Sequence, residues 1–378
     1  MRPLKITIAG AGIGGLAAAA ALARDGHSIR MIERASAFSQ VGAGIQVSPN
    51  GMAVLRALGL ENELRTETVR LAAVRLRDGP SGRTVATLDF GRHAGDLRWQ
   101  LSHRATLVAH LAAASVDAGA SIEFGVDRAL PPEGQALEGE DLLIGADGIK
   151  SRMRALVDNE SSPFFTRQVA WRTVIPDAWR EPVVEVHMGP GRHLVTYPIG
   201  DGQRNIAAFE ERAEWVDEGW NHEDDPDSLR AAFAGFGPEV RRMLATVESV
   251  HLWGLFRHRV AGRWVRDRKV LLGDAAHPTL PFLAQGANLA LEDAWVLAAA
   301  IRQHDLPEAL ERYQVLRIPR ATRIVDAATR NARNYHLRIP PVRFAAHAAL
   351  KAASAIAPAA MLRRFDWIYR HDVTSLEV

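Results

Sequence analysis

The chain contains no cysteine, and this absence excludes several kinds of chemistry. Disulfide bonds, thiolate metal sites and cysteine nucleophiles are all ruled out. The HExxH motif of metallohydrolases and the GxSxG motif of serine hydrolases are also missing, so we expect neither a metal site nor a serine nucleophile. A chain without cysteine suits a reducing compartment, and we expect a cytoplasmic protein.

A strong net charge and long apolar runs are absent too. The 46 Lys and Arg residues nearly balance the 44 Asp and Glu residues, which leaves a formal net charge of +2. This balance gives no electrostatic reason to expect a nucleic-acid partner. No uninterrupted apolar stretch reaches the ~18 residues of a membrane-spanning helix, and no signal peptide is expected before the first strand. At 378 residues, the chain is long enough for two domains.

The N-terminal segment carries the clearest motif. Residues 4–9 are a short apolar run, and Gly10, Gly12 and Gly15 follow with the spacing G-x-G-x-x-G before an alanine-rich stretch. A second strand ends at Glu33, 18 residues after the last glycine. Such a strand–turn–helix–strand unit binds a dinucleotide, because the glycines admit the pyrophosphate to the helix N-terminus and the acidic residue accepts hydrogen bonds from a ribose. The motif alone leaves NAD and FAD as alternatives.

The rest of the chain indicates a mixed α/β fold in three parts. Short alternating segments in 168–212 predict an antiparallel sheet. We therefore expect a Rossmann-like nucleotide-binding domain from 1–160 and 260–340, with a β-sheet domain at 161–259 inserted into it. Residues 341–378 are expected to add C-terminal helices, and their aromatic residues to dock on the body.

Several local features can also be predicted. Segments within 68–90 predict a hairpin across GPSG, and residues 226–247 a single helix. Asn50 and Ser102 are expected to cap two further helices. The strand KVLLG ends just before Asp274, and the carboxylate of Asp147 is expected to face a ligand crevice at the end of another strand. Gly42 and Gly44 are expected to allow close approach of the backbone to a ligand.

Four stretches together resemble the single-component flavin-dependent aromatic hydroxylases. They are GAGIGG (10–15) with Glu33, GAGIQVSPN (42–50), GADGIKSRMR (145–154) and LLGDAAHPTLPFLAQGANLALED (271–293). The resemblance covers most of the chain and is nearest to salicylate hydroxylase and 6-hydroxynicotinate monooxygenase. It implies a bound FAD, NADH or NADPH as co-substrate, and hydroxylation of a small phenolic aromatic by O2 through a flavin hydroperoxide. One departure is a shortened region at 125–140.

The resemblance also assigns cofactor residues. It implies that Arg104 reaches the phosphates or ribityl chain, that Asp274 binds the ribityl hydroxyls, and that Pro281 lies beside the flavin near the carbon that reacts with oxygen. The expected FAD-binding set is Gly10, Gly12, Ile13, Gly14, Gly15, Glu33, Arg34, Gly44, Ile45, Arg104, Asp147, Asp274, Gly286, Ala287 and Asn288.

The expected substrate site centres on one strand. The resemblance makes His193 the candidate base that ionises a ring hydroxyl, with Tyr197 on the same strand face. Gln46 and Phe282 are expected to line the pocket as well. They stand where the 6-hydroxynicotinate enzymes have histidines, so that particular substrate is not supported. Trp171 and Arg172 are expected at the edge of the pocket, with packing within the sheet as the alternative.

Alternative functions remain open from the sequence. In WRTVIP, Thr173 replaces the second tryptophan of a halogenase motif, which argues against halogenation. A hydroxylase of non-aromatic or quinone-type substrates would need the same flavin loop. A membrane-associated form would favour an apolar C-terminal patch, but Arg343, His347 and Lys351 interrupt residues 342–362. A flavin-binding module without turnover is disfavoured by the set Arg104, Asp274 and Pro281, and a homodimer stays open.

Overall fold

The computed structural model describes residues 2–38, 43–127, 139–158, 162–178, 181–214 and 222–378. Gly42, which is expected to lie close to a ligand, is outside the described residues. So is most of the shortened region 125–140. Within the described ranges, no helix is both long and apolar enough to cross a membrane.

The first layer is a six-stranded sheet that carries the glycine-rich turn. Its spatial order is Val265–Arg266 (β16), Lys269–Leu271 (β17), Leu142–Gly145 (β9), Lys5–Ala9 (β1), Ser28–Glu33 (β2) and Ser121–Phe124 (β8). All neighbours pair in parallel except β16 with β17. The carboxyl ends of β1, β2 and β9 therefore meet at one edge, which is where open α/β sheets bind their ligands.

Three helices pack together against this layer. They are Ile13–Arg24 (α1), Arg104–Asp117 (α5) and Gly286–Gln303 (α9), and α1 contacts both of the others. The alanines from Ala17 to Ala21 are all buried. Their small side chains let α1 approach two neighbouring helices, and this packing fixes its N-terminus at the ligand-binding edge.

The second layer is an eight-stranded sheet. Its order is His222–Asp224 (β14), Val250–Arg257 (β15), Phe164–Pro176 (β10), Gln203–Glu211 (β13), Arg192–Gly200 (β12), Val183–Gly189 (β11), Ala73–Asp78 (β5) and Thr84–Asp89 (β6). The predicted hairpin is confirmed as β5 and β6, but β5 pairs in parallel with β11 and so extends this sheet. The predicted sheet domain, 161–259, therefore does not supply all the strands of this sheet. The domain boundaries stay a prediction.

A small three-stranded sheet lies between the layers. It contains Gly44–Val47 (β3), Gln100–His103 (β7) and Val69–Arg70 (β4). The other helices are Pro49–Ala57 (α2), Glu61–Glu67 (α3), Phe90–His93 (α4), Arg152–Val157 (α6), Pro226–Ala232 (α7), Pro238–Ala245 (α8), Leu306–Tyr335 (α10), Pro340–Ile356 (α11), Pro358–Arg363 (α12) and Asp366–Tyr369 (α13). Short 3₁₀ turns occur at Gly273–Ala275, Pro281–Leu283 and Val373–Ser375.

Three local predictions are wrong. Ser48, not Asn50, precedes α2, because proline fits the first helical position and Pro49 occupies it. His103, not Ser102, caps α5, and its Nδ1 accepts the Ala105 N–H at 3.2 Å. Residues 226–247 form two helices, α7 and α8, because two glycines interrupt them before the second begins at a proline.

The C-terminal aromatic residues dock on the body, as the sequence predicts. The Tyr369 ring lies 4.7 Å from the Trp99 ring, measured between centroids. The Arg323 guanidinium lies 3.9 Å above the centre of the Trp367 ring. These contacts hold the end of the chain against α10 and against the segment that precedes β7.

Candidate active site

The glycine-rich turn leaves open space at the N-terminus of α1. Gly10 has a φ of 103°, and a Cβ there would lie 2.4 Å from the carbonyl oxygen of Ala146. A Cβ at Gly15 would lie 2.1 Å from the Gly10 carbonyl oxygen, so only glycine lets helix and strand pack this closely. A Cβ at Gly12 would meet nothing within 4 Å, and no side chain caps the helix. The first N–H groups of α1 are therefore free to bind phosphates.

Glu33 is fixed at the carboxyl end of β2. Its Oε2 accepts the Ala11 N–H at 2.8 Å, and its Oε1 accepts the Ala35 N–H at 2.9 Å. Glu33 lines a cavity of about 250 Å³ together with Gly10 and Arg34. The backbone thus holds a carboxylate where a ribose would lie in a dinucleotide fold.

Asp147 lines the same cavity, but its carboxylate already has donors. It accepts the N–H groups of Arg152 and Met153 at 2.8 and 3.2 Å, and the Ser151 hydroxyl. Burial raises the pKa of Asp147, and these hydrogen bonds oppose that effect. Asp147 therefore lies at the crevice, where the sequence predicts it, and its side chain also fixes the start of α6.

A larger cavity of about 380 Å³ continues from the first, and Gly12, Ala146 and Gly148 line both. Asp274, in the turn after β17, and Arg104, the first residue of α5, bring opposite charges to its wall. Asp274 is exposed to the open cavity, and desolvation by the surrounding protein atoms raises its pKa. Within the described ranges, neither side chain forms an ion pair with the protein, so both are available to a ligand.

The loop before α9 forms another part of the wall. Pro281 begins the 3₁₀ turn Pro281–Leu283. Ala284, which follows this turn, adopts a left-handed φ of 51°. Such a conformation costs a residue other than glycine roughly 1 kcal/mol or more. Pro281 and Ala284 line the cavity with Gly286 and Ala287, the first two residues of α9. The positive end of the helix dipole therefore lies at the cavity.

Asn288 braces this region and does not line the cavity. Its Oδ1 accepts the Ser48 N–H at 3.0 Å, and its Nδ2 donates to the carbonyl oxygens of Gln46 and Ala284 at 3.1 and 2.7 Å. The side chain therefore ties the start of α9 to β3. The resemblance assigns Asn288 through its backbone segment beside the flavin, and that assignment stays a prediction.

A buried ionic network holds the same region from behind. Asp293 is fully buried, accepts the Gly273 N–H at 3.1 Å and Arg317 Nε at 2.7 Å, and pairs with His277. Burial alone would raise the pKa of Asp293, but His277 and Arg317 outweigh it and lower the pKa. Glu292, beside it, contacts Arg317 at 2.8 Å. The network fastens the Gly273–Ala275 turn to α9 and α10.

The far end of the cavity is formed where β3 meets the larger sheet. The Gly44 N–H donates to Asn205 Oδ1 at 2.7 Å, and a Cβ at Gly44 would lie 2.7 Å from side-chain atoms of Asn205 and Tyr197. Gly44 thus allows close approach to the sheet. Ile45 and Gln46 line the cavity, and the Gln46 side chain hydrogen-bonds Tyr197. Burial raises the pKa of Tyr197, so its hydroxyl keeps its proton.

Arg172 lines the cavity, whereas Trp171 does not. Trp171 is fully buried on the opposite face of β10, where its Nε1 donates to Asp224 Oδ2 at 2.6 Å. Successive side chains of a strand point to opposite faces, so only one of the two can reach the cavity. Of the two alternatives that the sequence leaves open for Trp171, the structure shows packing within the sheet and not a place at the pocket edge.

His193 and Phe282 lie behind the cavity wall. The His193 ring is fully buried and stacks on Phe209, a cavity residue, at a centroid distance of 4.5 Å. Phe282 packs edge-on against both rings at 5.1 Å. The prediction that Phe282 lines the pocket is wrong, because the 3₁₀ turn directs Pro281 to the cavity and Phe282 to the core. His193 lies on the same face of β12 as Tyr197, but its side chain is buried behind the residues that line the cavity.

Some cavity residues were not singled out from the sequence. They include three residues of β13 and one of the loop before α9: Asn205, Ala207, Phe209 and Thr279. The period of two along β13 places the first three on one face. That spacing could have identified them only if the pairing of β13 with β12 were already known.

The site fits FAD on three counts. The space beside Gly12 and the uncapped start of α1 suit a pyrophosphate, and Glu33 suits a ribose. Asp274 offers a carboxylate to a polyhydroxylated chain. The two joined cavities, about 250 and 380 Å³, give room for an extended dinucleotide with a substrate beyond it.

Comparisons with known proteins agree with this geometry. Residues 4–328 match the family described as FAD binding domain. The chain is 36% identical over 356 residues to 3-amino-4-hydroxybenzoate 2-monooxygenase of Streptomyces cremeus, covering 89% of each chain. It is 33% identical over 346 residues to 6-hydroxynicotinate 3-monooxygenase of Bordetella bronchiseptica, covering 85% of this chain and 89% of that one.

A solved structure gives the same result. The crystal structure of Klebsiella pneumoniae HpxO complexed with FAD and uric acid superposes with a TM-score of 0.83 at 26% identity, covering 95% of each chain. The expected Rossmann-like α/β architecture and the FAD cofactor are thereby confirmed. The chain belongs to the FAD-binding-domain family of flavin-dependent aromatic hydroxylases.

Proposed function

We propose that this FAD-dependent monooxygenase uses NAD(P)H and O2 to hydroxylate a small aromatic ring that carries both a hydroxyl group and a carboxylate, such as a hydroxybenzoate or a hydroxypyridine carboxylate. The observation that carries this choice is the cation of Arg172 in the wall of the cavity, beside Tyr197.

Arg172 argues for an anionic substrate because its guanidinium is enclosed without a carboxylate. Burial lowers the pKa of Arg172, and no ion pair with Asp or Glu satisfies it among the described residues. Its guanidinium lies 5.6 Å from the centre of the Trp253 ring, which supports its position. A substrate carboxylate would supply the missing charge through two parallel hydrogen bonds.

Tyr197 and Gln46 suit the other polar group of such a substrate. Because burial raises the pKa of Tyr197, its hydroxyl remains a donor at neutral pH. Gln46 hydrogen-bonds that hydroxyl and lines the same wall. Together they can orient a ring hydroxyl or its anion. Arg172 at one point and Tyr197 at another would then fix the plane of the ring.

The reaction divides between the cofactor and the chain. Bound FAD, reduced by NAD(P)H, supplies the activation of O2 and the transfer of one oxygen atom to the ring. The N–H groups of Gly286 and Ala287 and the dipole of α9 stabilise negative charge at the cavity. Pro281 and the apolar part of the wall exclude water from the reacting ring.

His193 stays the predicted base for the ring hydroxyl, although its ring is buried behind Phe209 and does not line the cavity. Burial lowers the pKa of His193 well below its usual value, so the ring is neutral at pH 7. Its Nε2 is buried without a hydrogen-bond partner among the described residues. The His193→Ala variant should retain FAD and lose most coupled hydroxylation; unchanged turnover would remove His193 from the mechanism.

A substrate screen tests the proposed function as a whole. Purified FAD-loaded enzyme is mixed with hydroxybenzoates, aminohydroxybenzoates and hydroxypyridine carboxylates, together with their methyl esters, and NADH and NADPH oxidation is followed. We expect at least one free acid to accelerate oxidation and to gain one oxygen atom by mass, with its ester inactive. Acceleration only by uncharged aromatics or quinones would contradict the proposal.

A further inference from the structure

Helix α11 turns all but one of its polar residues towards the body of the protein. Arg343 Nε and His347 Nδ1 lie 3.9 and 3.5 Å from Oδ1 of Asp78 on β5. The Ser354 hydroxyl donates to the Thr87 carbonyl oxygen on β6 at 3.2 Å. A surface helix of a globular protein normally has the opposite arrangement, with its polar residues in water and its apolar stripe on the core.

The outward face of α11, which is the side turned to the solvent, is apolar. Phe344 is 78% exposed and Ile356 is 83% exposed. Other exposed apolar residues on this side are Val342, Ala345, Ala348, Ala349, Ala352 and Ala355. Arg343 and His347 interrupt the apolar run in the sequence, but they lie on the inner side, and Lys351 is the one charged residue exposed along this completely described helix. A continuous apolar patch marks contact with another protein or with a membrane.

The chain around α11 has a clear excess of positive charge. No Asp or Glu occurs from residue 327 to residue 365, whereas seven Lys and Arg residues do: Arg330, Arg333, Arg338, Arg343, Lys351, Arg363 and Arg364. Arg338 pairs with Glu211, and Arg343 with Asp78. The other five cations are exposed and form no ion pair with any residue that the structure describes.

Apolar surface and positive charge together favour an anionic lipid surface over a second copy of the chain. In a dimer with two-fold symmetry the same patch faces itself, so the cations of one copy would approach those of the other, with no acidic residue of this stretch to pair with them. An anionic bilayer supplies both complements. Its headgroups attract Lys and Arg, and the boundary between headgroups and acyl chains takes up the apolar side of a helix that lies in the membrane plane.

We propose that the outward face of α11 binds the surface of an anionic lipid membrane. The helix lies in the plane of the surface, with Phe344 and Ile356 inserted between the headgroups and the exposed cations of residues 330–364 near the lipid phosphates. The inner side of α11 keeps its contacts with β5 and β6, so the body of the enzyme need not rearrange. This inference is independent of the aromatic substrate.

Flotation with lipid vesicles tests the proposal. The FAD-loaded full-length enzyme is mixed with phosphatidylcholine vesicles that contain or lack phosphatidylglycerol, and the bound fraction is measured. We expect binding only where phosphatidylglycerol is present, and weaker binding at high salt, which screens the charges. Binding to neither kind of vesicle, or equal binding to both, would overturn the proposal.

A variant of the outward face tests its apolar contribution. Phe344→Ser/Ile356→Ser should raise the Kd for the anionic vesicles roughly tenfold or more, because it removes the side chains that enter the lipid. The matched control is Val315→Ser/Leu316→Ser, which changes two exposed apolar residues of α10. It should bind vesicles like the wild type. Equal losses in the two double variants would show that α11 has no special role.

A second double variant tests the charge. Arg363→Gln/Arg364→Gln removes two adjacent exposed cations after α11, and we expect the Kd for the anionic vesicles to rise roughly tenfold. Arg241→Gln/Arg242→Gln removes two adjacent exposed cations from α8 and should leave this Kd unchanged. If the α8 variant lost as much binding, net charge and not this surface would hold the lipid, and the proposal would fail.

The absence of cysteine allows a fluorophore to be attached at a single chosen site. Ala348→Cys on the outward face and Arg241→Cys on α8 are each labelled with an NBD group, whose emission shifts to the blue when it leaves water. We expect anionic vesicles to cause this shift only for Ala348→Cys. If ultracentrifugation instead showed a dimer that Phe344→Ser/Ile356→Ser dissociates, a second copy would cover the face and the proposal would be wrong.

Discussion

Trp171 and Arg172 are consecutive residues of β10 whose side chains serve opposite faces of one sheet. Trp171 donates to Asp224 and packs against Phe233 in the core formed with α7 and α8. Arg172 lines the cavity on the face that meets β3 and the nucleotide-binding layer. One strand thus anchors the sheet with one residue and presents a cation to the cavity with the next.

Replacing Arg172 should separate carboxylate binding from FAD binding. In Arg172→Met the apolar stem is kept and the charge is lost, so an aromatic acid loses hydrogen bonds to a charged group worth about 1.5–3 kcal/mol. We expect its Kd to rise roughly 10- to 100-fold, while the Kd of FAD stays the same. Arg212→Met is the matched control, because Arg212 lies over Trp171 on the opposite face. Equal weakening of a methyl ester would contradict the role of the charge.

The cofactor half of the site could be predicted because its determinants are local in sequence. Gly10, Gly12 and Gly15 act within one turn, and Glu33 closes the same βαβ unit. Asp274 follows its strand directly. Each of these residues is placed by its immediate neighbours, so a motif is enough to locate it.

The substrate half could not be predicted to the same extent, because tertiary packing decides it. Whether Trp171 or Arg172 faces the cavity depends on which face of the sheet α7 and α8 cover. The hairpin of β5 and β6 joins that sheet only through its pairing with a strand more than 100 residues later. His336 reaches His193 across 143 residues of sequence. Spacing along the chain carries no signal for such contacts.

Loss of the Glu33 carboxylate should weaken FAD binding. In Glu33→Ala the N–H groups of Ala11 and Ala35 lose their acceptor, and the ribose loses its partner. Because hydrogen bonds to a charged group are worth about 1.5–3 kcal/mol, we expect the Kd of FAD to rise at least tenfold. Titration of the FAD-free protein with FAD, followed by flavin fluorescence, measures this. Glu123→Gln on the neighbouring strand β8 removes an exposed ion pair with Arg30 and should leave the Kd unchanged.

The buried ionic network should contribute strongly to stability. Asp293→Asn removes the anion that pairs with His277 and one of the two carboxylates that pair with Arg317, in a fully buried site where Glu292 remains as the other. Breaking one member of a buried ion pair typically costs 3–5 kcal/mol, so the urea midpoint should fall markedly. Because Asp293 also holds Gly273, FAD should dissociate faster.

An exposed ion pair provides the control for that experiment. Glu308→Gln removes the ion pair with Arg312 on the surface of α10. Both side chains are half-exposed, so this pair should contribute less than about 0.5 kcal/mol to stability. If Asp293→Asn and Glu308→Gln shifted the urea midpoint equally, the network would have no special role in fastening the turn that carries Asp274.

Glu185 on β11 should make the larger sheet sensitive to acid. Burial alone would raise its pKa, but the Arg77 guanidinium, 2.7 Å from Oε1, outweighs this and helps to lower the pKa to about 2. His187 Nε2 is 3.7 Å from Oε2, which is too far for a hydrogen bond, so Arg77 is the main partner. A carboxyl whose pKa is depressed on folding stabilises the protein above its unfolded pKa, and that stability is lost as the pH falls through the folded value.

The Glu185→Gln variant tests this linkage. At pH 7 its free energy of unfolding should be lower than that of the wild type by about 3 kcal/mol, because each pKa unit corresponds to about 1.4 kcal/mol. The difference should shrink from about pH 4.5 towards pH 2, where the wild-type carboxyl also becomes protonated. Glu181→Gln, which removes a more exposed partner of Arg75, should show little difference at any pH. A constant difference between wild type and Glu185→Gln over this range, measured by urea unfolding at each pH, would show that Glu185 acts through packing and not through its charge.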